Sequence, residues 1–136
     1  MSGNTLTQLE LPSNSASAPA VERYFEELFE ARSLSEGLHG KVAVSISEAV
    51  NNAIHHGNRG DIGKTVVVNV DLSEEDLKIE VIDQGSGFEP ETLPDPTAPE
   101  NLEKETGRGI FIIKNLSDEL EFEDDGRKMC MRFSLK

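Results

Sequence analysis

Three short segments of this chain bring together residue types that handle phosphate chemistry. The first is Ser47-Glu-Ala-Val-Asn-Asn-Ala-Ile-His-His-Gly57. At 3.6 residues per turn, Glu48, Asn52 and His55 share one arc of a helix, at i, i+4 and i+7. Val44 falls on the same arc and breaks its polarity. Val42, Ile46, Ala49, Val50, Ala53 and Ile54 fill the opposite arc, which predicts the core face of an amphipathic helix. A carboxylate and a carboxamide one turn apart can act together. The amide oxygen can ligate Mg²⁺, while the carboxylate accepts a proton from a hydroxyl or water attacking a phosphate. An ordinary solvated helix face has the same residue types.

The second segment is Asp83-Gln-Gly-Ser-Gly87. Alternation puts Asp83 on the face of Leu77, Ile79 and Val81, so it points towards whatever layer covers that face. A carboxylate there needs donors, and an adenine amino group can supply one. Gly85 and Gly87 permit close backbone approach, although Asp-x-Gly-x-Gly is also a common turn. The third segment is Gly107-Arg-Gly109, before Ile110-Phe-Ile-Ile113. Glycines entering a helix leave free N–H groups that suit phosphate, and Arg108 can add a charged donor to a terminal phosphate. A plain helix-entry turn has the same pattern.

The elements that must position these segments follow from periodicity. Residues Thr5 to Leu11 alternate as a short edge strand, and Pro12 to Pro19 is a small, polar breaker. Val21, Tyr24, Phe25, Leu28 and Phe29 recur at helical spacing, and Gly37 and Gly40 close that region. A second helix is expected from about Lys41 to His56, with Gly57-Asn58 as its stop. Val66, Val68, Val70 and Leu72, then Leu77, Ile79 and Val81, predict a hairpin turning at residues 73–76. Residues Phe88 to Thr106 carry four prolines and many acids, so a long loop is expected, acting as a lid. A short helix from about Gly109 to Leu116 and two final strands complete the chain. Strands with one apolar and one wetter face, covered by helices on the apolar side, make a two-layer α/β sandwich.

Bulk composition narrows the functions available. The chain has 136 residues, enough for one domain, with 36% hydrophobic and 29% charged residues. Its net charge of −13 repels nucleic acid at long range, which excludes direct DNA binding and favours a basic protein partner. Any anionic ligand needs a metal ion or local donors to offset that field. No apolar run approaches membrane-spanning length and no secretion signal opens the chain, so a cytoplasmic protein is expected. The single cysteine, Cys130, fits a reducing compartment.

The order of parts is more specific than any one of them. A helix with Glu48-x-x-x-Asn52, a strand ending in Asp83-x-Gly85-x-Gly87, a lid-like loop and a Gly107-x-Gly109 entry resemble the N, G1 and G2 boxes of one ATPase superfamily. That superfamily has the Bergerat fold and includes DNA gyrase, heat-shock chaperones, mismatch-repair ATPases and histidine kinases. Within it, the short length, the N-terminal strand and Ser-Glu-Ala-Val-x-Asn-Ala-Ile-x-His-Gly resemble the anti-sigma factor serine/threonine kinases, from about Leu6 to Leu135.

The resemblance implies a mixed, mostly antiparallel sheet covered on one face by helices, in one histidine-kinase-like ATPase domain with residues 88–106 as ATP lid. It implies Glu48 as catalytic base, Asn52 as Mg²⁺ ligand and Asp83 as partner of the adenine amino group. Gly85 and Gly87 then shape the adenine pocket, and Gly107 and Gly109 lie against the phosphates of ATP. Asn51 and Arg108 stand beside matched positions as further nucleotide contacts. His55 lines the site or packs near the helix end, and His56 matches a histidine with a structural place. The implied activity is transfer from ATP to a serine or threonine of an anti-anti-sigma partner, together with sequestration of a sigma factor. A homodimer through the sheet region or the N-terminal strand is suggested. The acidic lid departs from the pattern and is expected to stand open without nucleotide. Two other readings are a nucleotide-dependent binding module that transfers nothing and a detached histidine-kinase catalytic domain. The latter lacks a helix pair carrying a phospho-acceptor histidine.

Overall fold

A computed structural model describes residues 5–59, 61, 63–85 and 105–135. Strand β1 (Thr5–Pro12) leads into helices α1 (Ser17–Ala31) and α2 (Glu36–Asn52). A π-helical turn, Ala53–Gly57, extends α2. Strands β2 (Thr65–Leu72) and β3 (Asp76–Ile82) form the expected hairpin. Helix α3 (Glu105–Leu116), strand β4 (Glu119–Glu123), a 3₁₀ turn (Asp124–Gly126) and strand β5 (Lys128–Ser134) follow. The sheet order is β1-β2-β3-β5-β4. Among the described strands every neighbouring pair is antiparallel, so the mixed sheet that was expected is antiparallel here.

Alternation sets the register. Val66, Val68, Val70 and Leu72 of β2, Leu77, Ile79 and Val81 of β3, and Met129, Met131 and Phe133 of β5 are all buried. Slipping any strand by one residue would turn its apolar set to water, which fixes the pairing strongly. Against that face pack Val21, Phe25 and Phe29 of α1, Val42, Ile46, Ala49 and Val50 of α2, and Ile110 and Ile113 of α3. Truncating a side chain as enclosed as Phe25 to alanine costs about 3–5 kcal/mol. The other sheet face is charged, with Lys128 bridging Glu80 and Glu123, and Arg132 bridging Asp76 and Glu119.

The starts of α1 and α2 differ from the sequence reading. Helix α1 begins inside the Pro12–Pro19 breaker, because Pro19 sits in the first turn, where a missing N–H leaves no bond unmade. Helix α2 begins at Glu36, so Gly37 and Gly40 lie within it instead of closing the helix before. Ser35 is the reason: with extended backbone, its hydroxyl accepts from Leu38 N at 3.1 Å and caps the helix. The glycine cost in the first turns is offset by that cap and by the buried stripe that follows.

Candidate active site

Helix α2 carries its chemistry on the arc left over from core packing. Val42, Ile46, Ala49 and Val50 are buried against the sheet, while Glu48, Asn51 and Asn52 are half-buried on another side. These three border a cavity of about 440 Å³, together with His55, His56, Gly109 and Ile112. His55 thus lines the site and is not packed at the helix end. His56, for which a structural place was implied, is exposed on the same rim. Val44 is 46% exposed, in keeping with its place one turn before Glu48.

Helix α3 reaches α2 through a glycine. A Cβ added at Gly109 would lie 2.8 Å from Glu48 Oε2 and 3.4 Å from Asn52 Nδ2. A side chain at position 109 would have to displace the Glu48 carboxylate from its present place. The G1-to-G2 expectation needs one correction here, since α3 starts at Glu105 and not at Gly109. Packing on α2 offsets the glycine cost. The N–H groups of the N-cap and of the first three helical residues lack intrahelical partners, so Gly107 still offers a donor while those of Arg108 and Gly109 enter the helical ladder. The side chain of Arg108, and Gly87, lie outside the described residues.

The Asn52 carboxamide fits a bound group. Its Nδ2 is buried and has no hydrogen-bond partner among the described residues. Because amide N and O are assigned from their neighbours, the same carboxamide turned over presents its oxygen instead. Glu48 and Asn52 offer oxygens of the kind a hard cation prefers. No group of three or more His, Cys, Asp or Glu among the described residues makes a metal cage by itself. A cation held by Asn52 would take its other ligands from phosphate and water, as Mg²⁺ usually does.

Asp83 stands beyond the C-terminal end of α2, against the π-helical turn that extends it. Its Oδ1 accepts from Gly85 N at 2.8 Å, and its own N–H donates to Arg127 O at 2.9 Å. The carboxylate lies on the Cα of Gly57, where a Cβ would come within 2.3 Å of Asp83 Cγ. Gly85 in turn lies on the Gly57 carbonyl, with room for no Cβ at all. Burial pushes the Asp83 carboxyl above the ordinary carboxylate value, against the opposing pull of the Gly85 N–H and the Arg127 and Lys64 charges. Asp83 does not border the cavity at Glu48. Nine residues of helix separate Glu48 from Gly57, roughly 13 Å along the axis at about 1.5 Å per residue.

Residue-type reasoning missed Gly57 and Asn58 as parts of the site, reading them only as a helix stop. Asn58 is fully buried. Its Nδ2 donates to Ser13 Oγ at 2.8 Å and Thr65 O at 2.9 Å, and its Oδ1 accepts from Gln84 N at 2.7 Å. A Gly-Asn pair after an amphipathic run has the composition of an ordinary cap, and nothing local signals its burial.

The match to known proteins covers this whole arrangement, since the model of the histidine kinase-like ATPase domain matches residues 11–134. The chain belongs to that family. An anti-sigma F factor of Clostridium perfringens is 34% identical over 97 residues, covering 67% of this chain and 69% of that protein. A serine-protein kinase RsbW of Bacillus mycoides is 32% identical over 95 residues, covering 65% of this chain and 59% of the relative. Among solved structures, the RsbU and RsbW domains of Rv1364c from Mycobacterium tuberculosis superpose with a TM-score of 0.68 at 17% identity. That match covers 97% of this chain and 32% of the other, and it establishes the shared fold. This member of the histidine kinase-like ATPases is thus a relative of the anti-sigma factors and serine-protein kinases, as its N-box run implies.

Proposed function

We propose that this chain is an ATP-dependent serine/threonine protein kinase of the anti-sigma type, phosphorylating an antagonist protein and binding a sigma factor. The observation that carries the site is the lodging of Gly109 against Glu48 and Asn52, beside a carboxamide nitrogen with no partner among the described residues. Family membership supplies the class of chemistry.

In this reading Glu48 accepts the proton of the attacking serine or threonine hydroxyl. Asn52 holds Mg²⁺, which when bound neutralises charge on the phosphates. Asn51, Gly107, Arg108 and Gly109 cradle the triphosphate. Asp83 takes the adenine amino group, and Gly85 and Gly87 leave space for the ring. Phosphoryl transfer needs positioning and charge stabilisation more than covalent help, and these groups provide both. Residues 88–106 form the ATP lid. That segment lies outside the described residues except for Glu105 and Thr106, which open α3.

The acidic surface, at −13, suits a basic face on a partner. Among the described residues no helix is long and apolar enough to cross a membrane. A cytoplasmic place fits the lone thiol, Cys130. A homodimer joined across the sheet or the N-terminal strand belongs to the same reading, with β1 at a sheet edge and Leu6 74% exposed.

Incubation with γ-labelled ATP, Mg²⁺ and candidate antagonist proteins tests the reading. Acid-stable label on a serine or threonine of the partner is expected. Nucleotide binding without transfer would leave a binding module, and acid-labile label would point to histidine chemistry.

A further inference from the structure

We infer that Asn58 is a positioning residue for base recognition, orienting Asp83 and thereby setting the preference for adenine. The inference rests on the reading of Asp83 as the partner of the adenine amino group. Three parts of the chain meet at this one side chain. Ser13 follows β1, Thr65 opens β2, and Gln84 is the residue after Asp83. The amide uses both kinds of hydrogen-bonding atom, two donated bonds and one accepted, inside a fully buried site.

Two consecutive peptide N–H groups at the acid are then held by different elements. Asp83 N donates to Arg127 O at 2.9 Å, and Gln84 N donates to Asn58 Oδ1 at 2.7 Å. Gln84 also returns its side-chain oxygen to Thr65 N at 2.7 Å. With both peptide planes fixed, the direction of the Asp83 Cα–Cβ bond is fixed, and the Gly85 N–H at 2.8 Å then holds the carboxylate at its end.

The backbone of Asn58 does a second job. Its N–H donates to Ala53 O at 2.7 Å, closing the π-helical turn. That wide turn carries Gly57, whose Cα and carbonyl form the wall against Asp83 and Gly85. Widened turns of this kind recur at functional sites. One residue therefore closes the turn that walls the carboxylate and pins the peptide that follows it. Aspartate in its place keeps the acceptor for Gln84 but sets an oxygen against the Thr65 carbonyl. None of these bonds touches Glu48 or Asn52, so the effect of Asn58 belongs to the base end of the site.

The test compares ATP and GTP affinities, and KM with kcat for ATP, in the full chain and in Asn58→Asp, Gln84→Pro and Ser13→Ala. Wild type is expected to prefer ATP. Asn58→Asp should lower that preference and raise KM for ATP, each about tenfold, the scale of one misaligned hydrogen bond, with a smaller fall in kcat. Gln84→Pro removes the N–H that Asn58 accepts while leaving Asn58 in place, so it should reproduce the loss of preference even if Asn58→Asp does not fold. Ser13→Ala removes a bond of Asn58 remote from Asp83 and should lower stability without changing the preference. An unchanged ATP:GTP ratio in both Asn58→Asp and Gln84→Pro overturns the role of Asn58 and leaves that of Asp83 standing. An equal shift in Ser13→Ala also overturns it, because the effect would then be general loosening. A wild type indifferent to the base removes the Asp83 reading itself.

Discussion

Glu48 on α2 and Asp83 after β3 are both half-buried carboxylates, and their surroundings suit them to different work. Glu48 faces a cavity beside Gly109, where a hydroxyl can reach it. Glu48→Gln is expected to keep ATP affinity and lose transfer by roughly 10²-fold or more, the contribution of a positioned general base. Binding titrations and single-turnover transfer on the same variant measure both. Asp83 is pressed against Gly57, and burial raises its pKa. A carboxyl whose folded value lies above its unfolded value stabilises the fold at low pH. It loses that contribution as pH rises through the folded value. Asp83→Asn keeps an oxygen for Gly85 N and carries no charge. The nucleotide-free variant should therefore melt at or above wild type at pH 7, with the gap closing as pH falls towards 4. Its ATP affinity should fall. A variant less stable at neutral pH, with no convergence in acid, would contradict the burial argument.

Helix α2 is the element that spaces the site. Its last turns bring Glu48 and Asn52 to Gly109, and the π-helical turn that extends it brings Gly57 to Asp83. Its start depends on Ser35, so Ser35→Ala should cost about 1 kcal/mol, read as a lower urea midpoint with unchanged slope. ATP affinity should stay close to wild type, because the cap lies more than three turns from Glu48. Helix α3 shows why element ends are hard to read. Glycine spacing pointed to a start at Gly109, whereas the helix begins at Glu105. Glycine is a poor helix former in isolation, and contact with α2 overrides the local preference. The π-helical turn has no signature in the sequence, because it differs from the end of an α-helix by one hydrogen-bond register.

At the scale of the whole molecule, a net charge of −13 opposes an anionic nucleotide, so binding needs local donors and a cation. ATP with Mg²⁺ at about 100 times its Kd should stabilise the fold by about 2.7 kcal/mol, seen as a melting point several degrees higher. Chelating the metal should remove most of that rise, and an unchanged melting point with both present would dispose of the pocket. The antiparallel strands, their buried faces and the helix bearing Glu48 and Asn52 were legible in the sequence, since alternation and 3.6-residue spacing are local consequences of burying one side of an element. The pairing of Glu48 with Gly109 could be anticipated only through the order of motifs, because 61 residues separate them. Asn58 was not legible at all. Asparagine after glycine reads as a solvent-facing cap, and its meaning changes only when Ser13, Thr65 and Gln84 converge on it. Local periodicity and box motifs determined the elements, the family and the candidate reacting groups. Tertiary structure alone decided which glycines touch which carboxylates and which polar side chain is sealed among three separate segments, because burial and close approach arise between segments distant in sequence.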